Sequence, residues 1–208
     1  MNYADSTRQP PKTLTEAEQR AFLRACGEHK DGFRDHVLFS FALGTALREH
    51  ELAALNVGDV YERSERRVRL RVQLRVYKGQ RDGALDPRQE ATLPAALRYK
   101  LEKFMHWKVS VGEAIDFDSP LFVSRGTGQR IACRTIRYAC ARWQKLARLD
   151  RRFTFHHLRH TALTNLYRAT RDIRLVQRVA RHAKLETTTI YASPSDEDVA
   201  RAVHSLPC

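Results

Sequence analysis

Alternating apolar and polar side chains make residues 67–77 the clearest predicted strand in the chain. Apolar side chains occupy the even positions from Val68 to Val76, whereas arginines occupy most of the odd ones. A turn containing Gly and Asp follows, and residues 90–93 then predict a short return strand. We therefore expect an antiparallel β-hairpin with a long tip. One face of the hairpin should be buried and the other basic.

Most of the remaining chain carries apolar residues at helical spacing. Thr15 and Glu18 have the spacing of a capping box, which predicts the start of a first helix. Residues 33–43 are apolar on several sides and predict a buried helix, which we expect Gly44 and Thr45 to interrupt. Further helices are predicted at 48–55, 97–109, 135–147, 158–170, 172–183 and 195–206, and a short strand at 119–123. The predicted fold class is α+β, mainly α-helical with a small antiparallel β-sheet.

The length and composition suit one globular domain. The chain has 208 residues, of which 42% are hydrophobic, enough to form one substantial core. No apolar run reaches the length of a membrane span, and the first residues lack the apolar core of a signal peptide. We expect a polar tail at 1–12, a single domain at 13–208, a cytoplasmic location and no membrane partner.

The charge of the chain points to a polyanionic partner. Lys and Arg number 37 against 24 Asp and Glu, giving a formal net charge of +13 and a pI of about 10.1. Nucleic acid is the usual partner of such a chain, although a basic surface can also serve solubility alone. A membrane surface is disfavoured, because no basic amphipathic helix with a bulky apolar face is evident. The four cysteines have no zinc-site spacing, so no metal and no cofactor are predicted.

Two segments in the first half of the chain carry candidate chemistry. Arg48 and Glu51 are three residues apart, so they share one face of a short predicted helix. Lys78 stands where the predicted strand ends, from where it can reach a neighbouring cleft. Taken alone, the first pair is better read as a surface ion pair and Lys78 as a solvated turn lysine.

Two segments in the second half complete the set. His156, Arg159 and His160 lie within five residues, so two or three of them can face one pocket. An anion pocket fits them better than a metal site, because the guanidinium would repel a cation. His182 closes a predicted helix, and Tyr191 follows nine residues later. A lone tyrosine is usually only a packed aromatic residue.

These segments together resemble the tyrosine recombinase (phage integrase) family. That family has an arginine after a buried helix, a lysine on a β-hairpin, an H-x-x-R-H box, and a His or Trp nine residues before a tyrosine. The matches here are Arg48, Lys78, the box from His156 to His160, and His182 with Tyr191, in the family's order. The phrases TALREHELAAL and HAKLETTTIYAS match as well, and the resemblance spans about residues 12–195.

The resemblance implies the tyrosine recombinase catalytic-domain fold and a site-specific recombinase that cuts and rejoins double-stranded DNA. Tyr191 would attack a phosphodiester, forming a 3′-phosphotyrosyl link and releasing a 5′-hydroxyl. Arg48 and Arg159 would clamp the phosphate, because forked donors suit its oxygens. Lys78 would protonate the leaving oxygen, and His156 would accept the tyrosine proton or bind the phosphate.

Other residues would have secondary roles by the same resemblance. His182 would bond a phosphate oxygen, while Glu51 and His160 would support the pocket. Arg81 and Arg134 are candidate DNA contacts. The apolar stripe of the last predicted helix would dock on its own domain or on a neighbouring subunit. Docking on a neighbouring subunit would mean that the protein self-assembles on DNA.

Three departures from the family qualify these expectations. His157 stands where the family most often has an acidic residue, so choosing His156 rests on its three-residue offset from Arg159. The segment after Lys78 is longer than usual. The helical domain that usually precedes the catalytic domain is absent before residue 13, which predicts a fragment or a minimal recombinase. We then expect salt-sensitive DNA binding and a requirement for a partner recombinase or accessory protein.

Two other functions remain open from the sequence. A type IB topoisomerase would use the same pocket to relax DNA without pairing two sites. A DNA-binding regulator would keep the fold without exchanging strands. The complete set of polar groups favours catalysis over the regulator.

Overall fold

Helices build most of the fold in the computed structural model, which describes residues 13–77, 86, 89–192 and 203–204. The helices are α1 (Glu16–Glu28), α2 (Phe33–Thr45), α3 (Glu49–Ala54), α4 (Val57–Val60), α5 (Ala95–Ser110), α6 (Cys133–Leu146), α7 (Phe155–Thr170) and α8 (Ile173–Ala180). The strands are β1 (Tyr61–Glu62), β2 (Arg67–Val68), β3 (Arg71–Gln73) and β4 (Glu90–Thr92). Two short 3₁₀ turns, Leu185–Thr187 and Thr189–Tyr191, follow α8.

The buried helix α2 lies at the centre of the core. It packs against α1, α5 and α7 because its apolar residues face several sides. Its charged residues are paired inside the core: Asp35 accepts hydrogen bonds from Arg34 at 2.6 Å and from Trp143 at 2.8 Å. This arrangement fixes the first turn of α2, and the candidate site begins at the other end of the helix, after Ala46.

The predicted helix starts and stops were partly confirmed. The capping box of Thr15 and Glu18 forms at the start of α1. The interruption expected at Gly44 and Thr45 was wrong, because α2 continues through Thr45, whose hydroxyl bonds the Phe41 carbonyl at 2.7 Å. The helix ends instead at Ala46, which has left-handed backbone angles with φ of 55°.

The predicted hairpin forms, but as shorter strands than the sequence pattern indicated. β2 pairs with β1 and β3 pairs with β4, both antiparallel, so the chain changes partner between Val68 and Arg71. The break turns Leu70 outward, where it is 64% exposed, and Val76 is 42% exposed beyond the last paired residue. A long strand with Leu70 and Val76 on its buried face was therefore wrong. The fold class, mainly helical with small antiparallel sheets, was confirmed.

Acidic neighbours neutralise the basic face of this hairpin. The four arginines at odd positions between residues 67 and 75 each form an ion pair, in the pairs Arg67–Glu65, Arg69–Glu62, Arg71–Glu90 and Arg75–Asp59. The hairpin tip at 78–85 and 87–88, with Lys78 and Arg81, lies outside the described residues.

The second half of the chain differs from prediction mainly at its boundaries. α7 begins at Phe155 rather than Leu158, which brings His156 into the first helical turn. The expected strand at 119–123 was wrong, since the chain there forms only isolated bridges, Asn56–Pro120 and Val123–Arg130. Of the predicted last helix, only residues 203 and 204 are described, and they are helical. Within the described residues, no helix is both long and apolar enough to cross a bilayer.

Candidate active site

Arg48 stands between two helices at the centre of the candidate site. After α2 ends at Ala46, Leu47 is fully buried and Arg48 adopts extended backbone angles as the N-cap of α3. Glu51, one turn into α3, accepts the Arg48 backbone N–H at 2.7 Å and its Nη1 at 2.8 Å. The helix start therefore fixes both the backbone and the side chain of Arg48.

Arg159 ties together the ends of two other helices. Its residue is only 2% exposed on α7, where Nη1 donates to the Ala46 carbonyl and Nη2 to the Ala180 carbonyl at 2.6 Å. Burial, with the nearby charge of Arg48, lowers the pKa of Arg159 to about 10. The guanidinium thus stays charged at neutral pH, and its orientation is set by two helix ends.

His182 is held in the neutral form beside Arg159. Its Nε2 lies 3.3 Å from Arg159 Nη2, and a guanidinium can only donate, so Nε2 accepts in this contact. The proton then belongs on Nδ1, which lies 3.0 Å from the hydroxyl of buried Thr188. Burial and the charges of Arg159 and Arg48 lower the pKa of His182 to about 4.

Tyr191 lies on the last 3₁₀ turn and is 5% exposed. Its ring packs on a small apolar cluster that contains Leu163 and Val176. Its hydroxyl is 3.0 Å from His160 Nδ1, and burial raises the pKa of Tyr191, while the charges of Arg159 and Arg48 oppose that rise. The tyrosine is therefore protonated at neutral pH, with a ring nitrogen of His160 within hydrogen-bond distance of its hydroxyl.

The three histidines at the start of α7 have different surroundings. His157 turns back to the helix start, where its Nδ1 accepts the Thr154 backbone N–H at 2.8 Å. A carboxylate at this third helical position makes the same bond in a capping box, so His157 takes the role of an acid there. His156 instead faces the charged groups and stands edge-on to His160, with ring centroids 4.4 Å apart.

The structure brings most of the predicted residues together. Hydrogen bonds and ring contacts join Arg159, His182, Tyr191, His160 and His156. The Arg48–Glu51 pair lies near them, since the charge of Arg48 helps to lower the pKa of Arg159 and of His182. Arg134 is apart from this set in its contacts: it lies on α6 and donates to the hydroxyl of Tyr138 at 2.8 Å. The neighbour of the Tyr191 hydroxyl is His160, where the sequence had suggested His156.

Sequence reasoning missed Arg181. Its side chain is 2% exposed, and Nη2 lies 2.7 Å from Glu51 Oε2. The position directly before His182 was the available signal, but nothing in the sequence pairs it with a residue 130 positions earlier. Among the described residues, three guanidinium groups, of Arg48, Arg159 and Arg181, thus lie near one carboxylate, that of Glu51, and we call this site the pocket.

This arrangement is suited to bind an anion. Three cations converge with a single buried carboxylate, and backbone and carboxylate bonds fix the guanidinium groups before any ligand arrives. A neutral histidine and a tyrosine hydroxyl lie at the edge of the same pocket. No group of three or more side chains suited to a metal occurs within the described part of the chain.

A groove of about 1440 Å³ lies beside the pocket. It runs between the β3–β4 hairpin and the helices α7 and α8. Its lining combines apolar side chains with arginines, among them Leu43, Leu166, Leu175, Val179, Arg174 and Arg178. Arg181 and His182 line its inner end, so the groove and the pocket adjoin.

Comparison with known proteins identifies relatives over almost the whole chain. The model of the phage integrase family matches residues 12–198. The chain is 31% identical over 173 residues to a tyrosine recombinase XerC of Shewanella sp. (strain W3-18-1), covering 83% of this chain and 52% of the relative. It is 30% identical over 200 residues to XerC of Caldanaerobacter subterraneus subsp. tengcongensis, covering 95% and 51%. The chain thus spans about half the length of the curated relatives it matches.

Solved structures give the same picture of the fold. The crystal structure of XerA recombinase superposes with a TM-score of 0.75 at 24% identity, covering all of this chain and 68% of that one. XerH site-specific recombinase bound to its difH substrate gives a TM-score of 0.70 at 20% identity, covering 99% and 57%.

Proposed function

The chain belongs to the phage integrase family, and from that membership we propose that it breaks and rejoins double-stranded DNA with Tyr191 as nucleophile. The observation that carries the proposal is the pocket itself, in which Arg48, Arg159, His182 and Tyr191 meet from three separate segments of the chain. Relatives of the chain include tyrosine recombinases, and the Tn1549 transposon integrase, which shares the fold, is solved in complex with a circular intermediate DNA. We assign this activity to residues 13–208 as a catalytic domain.

The first step is the attack of the Tyr191 oxygen on a backbone phosphorus. A phosphotyrosyl bond forms at the 3′ side, the bond to the 5′ oxygen breaks, and that oxygen leaves as a hydroxyl after gaining a proton. Negative charge develops on the non-bridging oxygens, where Arg48 and Arg159 lower its energy. Attack by a 5′-hydroxyl of a second strand reverses the step, so no ATP is needed.

The tyrosine proton goes to His160 in this proposal. His160 Nδ1 lies 3.0 Å from the hydroxyl, and burial together with neighbouring histidines lowers the pKa of His160 to about 4. Such a weak base cannot ionise Tyr191 in advance, so the proton moves as the phosphorus–oxygen bond forms. His156 remains the candidate phosphate ligand, and Lys78 remains the predicted acid for the leaving oxygen.

Covalent trapping tests the proposed function. The substrate is a pool of DNA duplexes of randomised sequence, each nicked near its centre. Cleavage close to the nick releases a short fragment that carries the 5′-hydroxyl, so the reverse step cannot occur and the protein stays attached. We expect a denaturant-resistant adduct with the wild type and none with Tyr191→Phe, which keeps the ring but lacks the nucleophile. Absence of an adduct from the wild type in the full pool would contradict the proposal.

A second assay separates the enzyme classes. Sequencing the trapped DNA identifies preferred sites, and two such sites on one plasmid then report strand exchange. A recombinase exchanges strands between the sites. Relaxation of any supercoiled plasmid without exchange would instead indicate a type IB topoisomerase, while sequence-selective binding without an adduct would indicate a regulator.

Self-assembly through the C-terminal segment extends this proposal. Residues 193–208 carry Asp196, Glu197 and Asp198, followed by an apolar stripe of Val199, Ala202, Val203 and Leu206. The α8 side of the groove complements this order of charge and apolar surface, because Arg174 and Arg178 lie there with Leu175 and Val179, whereas the carboxylates Asp86 and Glu90 line the hairpin side. We propose that the segment of one copy docks in the groove of the next on DNA.

Mixing two variants tests this docking. One lacks residues 193–208, and the other carries Leu175→Glu in an intact chain. Each alone should bind DNA as single copies, whereas the mixture should restore one pairwise contact, because one copy supplies the groove and the other the segment. Mobility-shift assays measure how many copies bind one DNA. If the segment docked on its own domain instead, neither the truncation nor Leu175→Glu would change the number of copies bound.

A further inference from the structure

Arg181 adopts a backbone conformation that glycine usually takes. It follows the last residue of α8 with φ of 53° and ψ of 45°, in the left-handed region. A residue with a side chain costs about 1 kcal/mol more than glycine in this region. Arg171 ends α7 in the same conformation. What sets Arg181 apart is therefore its side chain, which is only 2% exposed.

Those contacts bury the guanidinium beside Glu51. Nη2 lies 2.7 Å from Glu51 Oε2, and Nη1 donates to the Val179 carbonyl at 3.2 Å. Nε is buried and has no hydrogen-bond partner within the described residues. Burying a charged group is costly unless it is paired, so the ion pair with Glu51 is the contact that offsets the burial.

Glu51 is shared between two arginines. Its side chain is fully buried, with Oε1 bonded to Arg48 Nη1 and Oε2 bonded to Arg181 Nη2. If Arg48 were its only ion-pair partner, the carboxylate would cancel much of the attraction of Arg48 for an anion. With Arg181 present, the three groups together keep one net positive charge.

We propose that Arg181 is a positioning residue for DNA cleavage, which offsets the charge of Glu51 so that Glu51 can orient Arg48 without weakening its grip on the phosphate. The inference rests on the proposed function, since the phosphate is that of the cleaved DNA. It explains why a charged side chain is buried at this position.

Three variants test the charge effect. Arg181→Met removes the charge and keeps a long side chain, Arg181→Lys keeps the charge, and Arg181→Met with Glu51→Gln removes both charges. At saturating DNA we expect Arg181→Met to form adduct about 10- to 100-fold more slowly than wild type, with the Kd for DNA changed less than about threefold. Arg181→Lys should retain most of the rate, and the double variant should be faster than Arg181→Met alone.

The double variant gives the decisive comparison. If Arg181 served only packing, the second substitution would add to the damage or change nothing. A double variant no faster than Arg181→Met would therefore overturn the proposal, as would a wild-type rate in Arg181→Met.

Arg181→Gly separates charge from folding. It removes the charge and also relieves the left-handed strain, so its Tm should equal or exceed that of Arg181→Met. We expect it to be as slow as Arg181→Met despite that stability. A fast Arg181→Gly enzyme would instead point to a purely structural role.

Binding of inorganic phosphate tests the inference independently of cleavage. Added phosphate should raise the Tm of the wild type. The part of this rise that disappears in Arg48→Met reports on binding in the pocket. That part should shrink in Arg181→Met and return in the double variant. An equal Arg48-dependent gain in wild type and Arg181→Met, or none in the wild type, would overturn the inference even if DNA cleavage were absent.

Discussion

The main core and the cluster beneath Tyr191 are stabilised in different ways. The main core joins α1, α2, α5 and α6 through large apolar side chains, including Phe22, Phe39 and Trp143. Among the described residues, the cluster beneath Tyr191 has five buried members, Ala46, Leu163, Val176, Ala180 and Tyr191, with partly buried side chains such as Leu166 packed against them. So small a cluster removes little apolar surface from water, which limits the stability it can supply.

Polar contacts compensate at the smaller cluster. Arg159 bonds the carbonyls of Ala46 and Ala180, so one charged side chain joins the ends of α2 and α8. The comparison indicates that the groups proposed for catalysis also hold their own part of the fold together. It further suggests that this part opens locally more easily than the main core.

Replacing Arg159 should have the largest effect, because it should lower both the adduct rate and the stability. In Arg159→Met, both carbonyls lose their donor and the phosphate loses a cation. We expect adduct formation to fall about 10²- to 10³-fold and the free energy of unfolding to fall by about 3 kcal/mol. Single-turnover trapping and urea unfolding measure the two effects. Arg152→Met, at an exposed position, is the matched control and should change neither quantity appreciably.

Truncating one leucine in each region tests whether the main core and the cluster beneath Tyr191 are stabilised separately. Leu101→Ala in the main core should lower the free energy of unfolding by about 2–5 kcal/mol and leave the adduct rate of the folded protein nearly unchanged. Leu163→Ala should slow adduct formation about tenfold while costing less global stability, because it loosens the support of Tyr191. Equal effects of the two on the adduct rate would contradict a separately stabilised site.

Acid should destabilise the protein in part through two histidines of the site. The pKa values of His160 and His182 are about 4 in the folded protein, lowered by burial from an ordinary 6.5. Between these values the unfolded chain binds protons that the folded chain does not, so stability falls as pH drops from about 6.5 towards 4. Adduct formation by the folded protein should instead hold until the pH nears 4, where His160 becomes protonated and cannot accept the tyrosine proton.

Urea unfolding at several pH values measures this loss. A variant with His160→Gln and His182→Gln should show a smaller decline in stability over the same pH range. A decline as steep as that of the wild type would assign the acid sensitivity to other groups.

The smallest effect is expected at the ion-paired hairpin. Arg67 is exposed and lies 2.6 Å from Glu65, and such surface pairs contribute less than about 1 kcal/mol. Arg67→Ser should lower the free energy of unfolding by less than about 1 kcal/mol and change the adduct rate by less than about twofold. A large loss of DNA affinity in a fluorescence titration would mean that DNA displaces Glu65 from this arginine.

The sequence by itself determined the element types and most of the site's members. Helical spacing predicted the main helices, because a buried face repeats every three or four residues whatever it packs against. The capping box at Thr15 was readable for the same reason, since it involves only neighbours in the chain. The order of Arg48, the His156–His160 box, His182 and Tyr191 was recognisable as a family pattern.

Tertiary structure alone decided which groups touch. Alternation predicted Leu70 to be buried, but the strand changes partner there, and only the sheet topology determines that change. The contact of His160 with Tyr191 joins residues 31 positions apart, and that of Arg181 with Glu51 joins residues 130 apart. Local patterns carry no record of such pairs, because their geometry depends on how α2, α7 and α8 end against one another.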